Sequence, residues 1–236
     1  MNLEIKGFLE TSFIDWDGKI CSVLFVAACN WRCPFCHNWP LIENPDTHET
    51  VPLERIKEYL IEHRDFIDGI CLTGGEPTLY KKSGLFEFLR EIKDLGLLVK
   101  LDTNGTDSAA LQKLMTDHLV DFIALDIKAP LDERYDKLTA VKTDLEQVKQ
   151  SIKLIQSGLT DYEFRLTVVP TLLAEKDIED VARELKGAKK FVLQQFVPDN
   201  CWGKELRCVR PYEREKIMAM AELAKKYIPN TTTRGI

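Results

Sequence analysis

Six apolar, β-branched runs recur along the 236-residue chain: KICSVLFVAA (19–28), GICLTGG (69–75), GLLVKLDTNG (96–105), VDFIALDIKAP (120–130), YEFRLTVVP (162–170) and KKFVLQQFVP (189–198). Each ends in polar or turn residues, and apolar runs this continuous suit strands covered on both faces. Between them, apolar residues repeat at helical spacing. The stripes are Leu53, Ile56 and Leu60; Leu85, Phe88, Leu89 and Ile92; Leu111, Leu114 and Met115; Leu145, Val148, Ile152 and Ile155; and Ile178, Val181 and Leu185. A last helix, 211–228, follows Ile217, Met220, Ala221, Ala224 and Ile228. Pro52 suits a first helical position and Ser83 an N-cap, while Gly96, Gly158 and Gly187 stop their helices. Such stripes are core faces by default, and Met218 and Met220 need no cofactor to explain them. Strand and helix alternating six times predict an α/β fold with a parallel sheet and right-handed crossovers. Such a sheet is either open and doubly wound or curled into most of a barrel, with ligand chemistry at the strand carboxyl ends in both cases; the architecture expected here is a partial (β/α)6 TIM-type barrel with a short N-terminal β extension.

No fixed-period repeat, low-complexity tract or Gly/Ser linker divides the chain, so one domain is expected over 1–236. It comprises an N-terminal extension (1–18), a barrel core (19–198) and a C-terminal helix and tail (199–236). Residues 1–18 read as a short extended pair turned by DWDGK (15–19), and the TTTRGI tail (231–236) can pair along a sheet edge. The net charge of −6 argues against a broad nucleic-acid footprint, since phosphate binding wants an excess of Lys and Arg. No run approaches the ~20 apolar residues of a membrane span, and the N-terminus lacks an apolar signal core, so a cytoplasmic protein without membrane association is expected.

Three of the seven cysteines, Cys29, Cys33 and Cys36, fall within CNWRCPFC on the loop that leaves the first parallel strand. Without an export signal, metal binding is the better reading of such a cluster than a disulfide framework. Closed structural zinc sites take four ligands, and no second Cys or His pair follows at a matching spacing. His37 is a fourth ligand in principle, though neighbouring side chains seldom reach one tetrahedral ion without strain. The alternative is an iron–sulfur cluster held on three irons, with the fourth iron open. Spacing alone leaves zinc and iron–sulfur both standing.

C29-x3-C33-x2-C36, with Phe35 just before the third cysteine, resembles the signature of the radical S-adenosylmethionine (SAM) enzymes. The resemblance implies one four-iron, four-sulfur (4Fe-4S) cluster held by Cys29, Cys33 and Cys36. It also implies S-adenosyl-L-methionine chelated at the open iron and cleaved to methionine and a 5'-deoxyadenosyl radical. TGGEP (73–77) at the end of the second parallel strand resembles the family's glycine-rich segment: Gly74 and Gly75 would let backbone approach the ligand, and Glu76 would meet the cofactor's amino group. DTNG (102–105), DIK (126–128) and RLTVVP (165–170) mark further strand ends. By resemblance to the glycyl-radical-enzyme activating branch, Asp126, Lys128 and Arg165 would serve the ribose and carboxylate region. Asp102 and Thr103 would help hold a monovalent cation, and Asn104, Phe35 and His37 complete the cofactor-binding set.

Across GFLETSFIDWDGKI (7–20), CPFCHN (33–38), GICLTGGEPTL (69–79), VKLDTNG (99–105) and VDFIALDIKAP (120–130), the chain resembles the long-form activating proteins of anaerobic ribonucleotide reductase. That likeness implies an oxidoreductase that abstracts a glycine α-hydrogen from a partner glycyl-radical enzyme. Only Cys71 lies between Cys36 and Gly74, so no inserted ferredoxin-like domain is expected. With no second redox centre, flavodoxin or ferredoxin must donate the electron. LQQFVPDN (193–200) carries Gln194 and Gln195 where pyruvate formate-lyase activases have a histidine, which moves the assignment away from that branch. Alternatives are a radical SAM enzyme acting on a small molecule or peptide precursor, and a metal-binding scaffold without catalysis. Cys201 and Cys208 read as unrelated thiols rather than a redox pair, Cys21 and Cys71 as core, and His48, His63 and His118 as surface residues. Trp31 and Trp39 flank the cluster loop and either screen it or simply pack.

Overall fold

Apolar runs become strands here because both of their faces are covered. The computed structural model describes residues 3–236. Its elements are β1 (Ile5–Ser12), β2 (Cys21–Val26), α1 (Pro40–Glu43), α2 (Leu53–Glu62), β3 (Gly69–Gly74), α3 (Leu85–Asp94), β4 (Leu98–Thr103), α4 (Ser108–Thr116), β5 (Phe122–Asp126), α5 (Arg134–Thr139), α6 (Leu145–Gln156), β6 (Asp161–Val168), α7 (Glu175–Glu184), β7 (Phe191–Gln195), α8 (Arg214–Lys225) and β8 (Thr231–Arg234). All eight strands form one sheet in sequence order, with β1 antiparallel to β2 and every later pairing parallel. This is a partial TIM-type barrel that does not close, because β1 and β8 are its two edges.

Three local expectations change. Residues 5–12 form one strand that hairpins onto β2 rather than a pair within the first 18 residues. α3 starts after Gly84, which adopts the left-handed conformation at φ 95°, and Ser83 does not cap it. The tail does pair at an edge, as β8 against β7 with Phe191 opposite Thr231. Two helices do have side-chain caps: Asp107 accepts from Ala110 N–H ahead of α4, and Asp144 from Glu146 and Gln147 N–H ahead of α6.

Alternation along each strand divides the interior. Outward residues such as Leu24, Ile70, Leu72, Leu101, Ile123 and Phe164 join the helix stripes in the main core. Inward residues at the strand amino ends form a separate apolar plug of Trp16, Cys21, Val23 and Cys71, with Phe25, Leu98 and Phe122 against it. Beside the plug, buried Glu163 on β6 accepts from Arg234 of β8 (3.1 Å) and pairs with Lys190 (3.0 Å). Both cations also reach Asp17 in the β1–β2 turn, at 3.0 and 2.7 Å. This network ties the first turn to the last strand across the unpaired seam. Higher up, the inward side chains become polar.

Candidate functional site

Above the plug, the sheet encloses a cavity of about 460 Å³ at the strand carboxyl ends, within the range of small-molecule sites. Cys29, Cys33 and Cys36 line it together with Phe35, His37, Gly74, Gly75, Glu76, Asp102, Thr103, Asn104, Asp126, Lys128 and Arg165. The structure thus brings every sequence-predicted site residue to one wall system.

The cysteine loop leaves β2 through Ala28, a non-glycine residue in the left-handed region at φ 57°. Its backbone is held on both sides: Ala28 N–H donates to Leu41 (3.2 Å), Arg32 N–H donates to Thr139 (2.8 Å), and the Ala28 carbonyl accepts from Glu76 N–H (2.8 Å). These last contacts give the glycine pair a packing role besides lining the cavity. A Cβ on Gly75 would stand 1.7 Å from the Ala28 carbonyl oxygen, and one on Gly74, at φ 106°, 2.6 Å from the Val26 backbone. The glycines are needed so that the end of β3 can press on the end of β2. That close approach is what seats the cysteine loop.

All three thiols are free. Burial pushes Cys33 up to about 12 and Cys29 up to about 11, and raises Cys36 as well, with the Lys128 ammonium opposing the shift at each. Such thiols are neutral near pH 7 and must release protons to ligate a metal. Among the described residues, no three His, Cys, Asp or Glu side chains converge on a single-ion position. His37 turns its Nε2 to donate to the Val197 carbonyl at 2.9 Å, which commits that nitrogen away from the thiols.

Glu76 is 1% exposed, and its carboxylate is a clamp. Oε1 accepts from Thr78 N–H (3.0 Å), the Thr78 hydroxyl (2.6 Å) and the Thr103 hydroxyl (2.8 Å), and Oε2 accepts from Asn104 N–H (2.7 Å). Burial raises its pKa despite these donors. The clamp joins β3 to β4, and Asn104 extends it: its amide donates to Asn30 Oδ1 (2.7 Å) beside Cys29.

The charged residues form a chain. Arg165 donates Nε to Asp126 (2.9 Å) and Nη1 to Asp102 (3.1 Å), and Lys128 donates to Asp126 (3.2 Å). Asp102 also pairs with the buried ammonium of Lys100, which itself lies 3.4 Å from Cys71 Sγ. The Asp102 carboxylate expected to face a monovalent cation therefore already holds two side-chain cations. Although burial works against ionisation, Arg165 and Lys128 hold Asp126 down at about 2, and Arg165 and Lys100 lower Asp102. Lys128 shares its carboxylate with Arg165 and reaches over the Phe35 ring at 5.6 Å, so its ammonium is the least committed charge in the chain.

Sequence reading missed Lys100, which looked like an interruption of an apolar strand; its spacing of two from Asp102 places both on the inward face. It also missed Asp15 at the cavity's lower end and Asn38, whose amide donates to Gly74 O at 2.9 Å. Gln194 and Gln195 do line the cavity, and Gln195 donates to the Tyr212 carbonyl at 2.8 Å. Trp31 is core, edge-on to Tyr135 at 5.6 Å, while Cys201 is buried and Cys208 exposed.

Residues 23–185 match the model of the Radical SAM superfamily. A candidate glycyl-radical enzyme activating enzyme of Methanocaldococcus jannaschii is 32% identical over 242 residues, covering 100% of this chain and 98% of the relative. Pyruvate formate-lyase-activating enzyme of Clostridium pasteurianum is 23% identical over 239 residues, covering 95% and 98%. Among solved structures, Streptococcus suis SuiB bound to S-adenosylmethionine superposes with a TM-score of 0.69 at 16% identity, over 88% of this chain and 48% of SuiB. At that identity the likeness speaks to the fold.

Proposed function

Because the chain belongs to the Radical SAM superfamily, we propose that it is a SAM-dependent activase that abstracts a glycine α-hydrogen from a partner glycyl-radical enzyme, with anaerobic ribonucleotide reductase as its target. The observation that carries the reading is the donor set: three thiols and no fourth cysteine on the wall of a cavity that also presents a charged chain at the strand carboxyl ends. Three thiols without a fourth protein ligand suit three corners of a cluster better than a closed four-ligand ion site. Cys29, Cys33 and Cys36 would hold a 4Fe-4S cluster. When bound, the cluster and SAM together supply the hydrogen-abstracting radical.

The chain's own residues bind, orient and exclude water. Lys128 offers a partly free ammonium to a carboxylate, and Arg165 and Asp126 fix where that ammonium stands. The Glu76 clamp orients the strand ends, and its buried carboxylate would meet a ligand amino group through the capacity remaining on Oε2. Phe35 and Trp31 keep the thiol side of the cavity apolar. The unpaired seam between β1 and β8 suits entry of a peptide loop. An external one-electron donor, flavodoxin or ferredoxin, completes the scheme.

Support for the ribonucleotide reductase target is the similarity over 7–20, 33–38, 69–79, 99–105 and 120–130, together with Gln194 and Gln195 near the end of β7. The test is anaerobic reconstitution, reduction, and mixing with SAM and either anaerobic ribonucleotide reductase or pyruvate formate-lyase. A glycyl-radical doublet in electron paramagnetic resonance with the reductase alone is the expected result. A doublet only with the lyase overturns the target; no 5'-deoxyadenosine with any partner or none overturns the reaction class.

A further inference from the structure

The stretch CWGKELRC after β7 has no part in the function described so far, yet its first residues lie against the cysteine loop. The loop's α5 side is held by one hydrogen bond, from Arg32 N–H to Thr139, and by the edge-on contact of Trp31 with Tyr135. Its other side is covered by residues 197–203, and four hydrogen bonds cross between them. Trp202 N–H donates to the Cys36 carbonyl (3.1 Å) and Gly203 N–H to the Pro34 carbonyl (2.6 Å). In return the His37 ring donates to Val197 O (2.9 Å) and the Trp39 indole to Asn200 O (2.9 Å). Pro34 and Cys36 flank the turn between the second and third thiols, so the segment grips the loop at its ligating end.

Side chains add to this. The Trp202 ring stacks on Trp39 with centroids 6.2 Å apart at 27°, and the Arg32 guanidinium stands 5.7 Å from the Trp202 ring. Arg32 is itself fixed, donating Nη1 to the carbonyls of Cys29 (2.7 Å) and Trp31 (2.8 Å). A Cβ on Gly203 would lie 3.0 Å from Pro34 Cβ, so glycine permits the close approach. Trp202 thus contacts Arg32, between the first and second thiols, and Trp39, after the third.

We propose that residues 197–203 are a clamp that holds the cysteine loop in its ligating shape, with Trp202 as the positioning residue. The inference rests on Cys29, Cys33 and Cys36 being the cluster ligands. A free loop of this length would be ordered afresh each time it took up a ligand; a clamped one has that entropy removed beforehand, and it must also break the clamp before it can release what it holds. The clamp acts on the thiols' backbone and touches no reacting atom.

The test compares Trp202→Ala, Trp202→Phe and the parent protein. Each is reconstituted anaerobically with iron and sulfide, freed of excess iron, and challenged with the ferrous chelator bathophenanthroline disulfonate. Release from Trp202→Ala is expected to be roughly tenfold faster, the scale of one aromatic stack and one cation–π contact. Trp202→Phe should return close to the parent rate, and the thermal midpoint of the metal-free alanine variant should stay near the parent's. Iron release at the parent rate from a folded, loaded alanine variant overturns the clamp while leaving the ligand assignment intact. Failure of the phenylalanine variant to restore the rate overturns the role given to stacking. A parent protein that takes up no iron overturns the ligand assignment and the clamp with it. If Trp202→Ala does not fold, exposed Arg32→Gln removes the cation from the same stack, and an unchanged release rate there overturns the clamp equally.

Discussion

The two ends of the same strands are built on opposite principles. At the amino ends, Trp16, Cys21, Val23 and Cys71 fill the barrel and the ionic groups there satisfy one another, as Glu163 does with Arg234 and Lys190. At the carboxyl ends, the inward side chains border a cavity, and one of the cations, Lys128, is left partly committed. A β-strand can do both because inward positions recur every second residue, so β4 carries Lys100 and Asp102 inward within a core-forming run. The difference teaches that the base should govern stability and the mouth chemistry.

The largest effect should come at the mouth. Cys33→Ala should reduce 5'-deoxyadenosine formation to background, with the thermal midpoint of the metal-free protein little changed; the nucleoside is quantified by chromatography after anaerobic reduction. Retained cleavage in that variant would remove the thiol trio from the mechanism. The base should answer in the other currency. Trp16 is 6% exposed within the plug, and Trp16→Ala should cost about 3–5 kcal/mol in denaturant unfolding. The surviving folded fraction, measured below the onset of unfolding, should keep its SAM affinity. A drop in affinity matching the loss of stability would erase the division between the ends.

Gly75 is where the division should fail, since it is a mouth residue whose role is packing. Gly75→Ala forces a Cβ against the Ala28 carbonyl oxygen, a backbone atom that cannot swing aside. Overpacking should cost roughly 1–3 kcal/mol, and moving Ala28 also moves the cysteine loop. Stability and iron content should fall together, as read by unfolding curves and iron analysis of the same preparations. A variant with parent iron content would mean that the two strand ends are not coupled.

The sequence made the six parallel strands and their long helices legible because burial on both faces writes continuous apolar runs and regular stripes. β8 was visible only as an edge option, since Thr231–Arg234 is short and its inward Arg234 serves an ion pair rather than a core. α1 and α5, at four and six residues, are too short to show a helical period. Site residues at strand ends stood out by their charged and amide groups and took their roles from the family resemblance, whereas Lys100 was hidden inside an apolar run. The clamp was silent because two of its hydrogen bonds run backbone to backbone, from Trp202 to Cys36 and from Gly203 to Pro34. Gly74 and Gly75 were legible as a place of close approach, but their packing against Ala28 and Val26 was not, since a glycine marks close approach without saying what approaches.

The smallest effect concerns acid, and it separates the two ends by sign. Asp126 has its pKa lowered from 3.8 to about 2, with the opposite charges of Arg165 and Lys128 outweighing burial. Between those values the unfolded chain takes up a proton that the folded chain refuses, so this group's contribution is complete above about pH 4 and is lost as the pH falls toward 2. Asp17 at the base is lowered too, chiefly by its hydrogen bond to Lys190, and contributes with the same sign. Glu76 is the exception: burial raises its pKa, so acidification through that raised value favours the folded state. The base should therefore only weaken in acid, while the mouth carries opposed contributions. Urea unfolding at pH 5, 4, 3 and 2.5 should show Asp126→Asn less stable than the parent at pH 5 but with a shallower decline below pH 4. Parallel declines would mean that Asp126 is not the carboxylate that Arg165 and Lys128 keep ionised, and the charged chain at the mouth would have to be redrawn around Asp102.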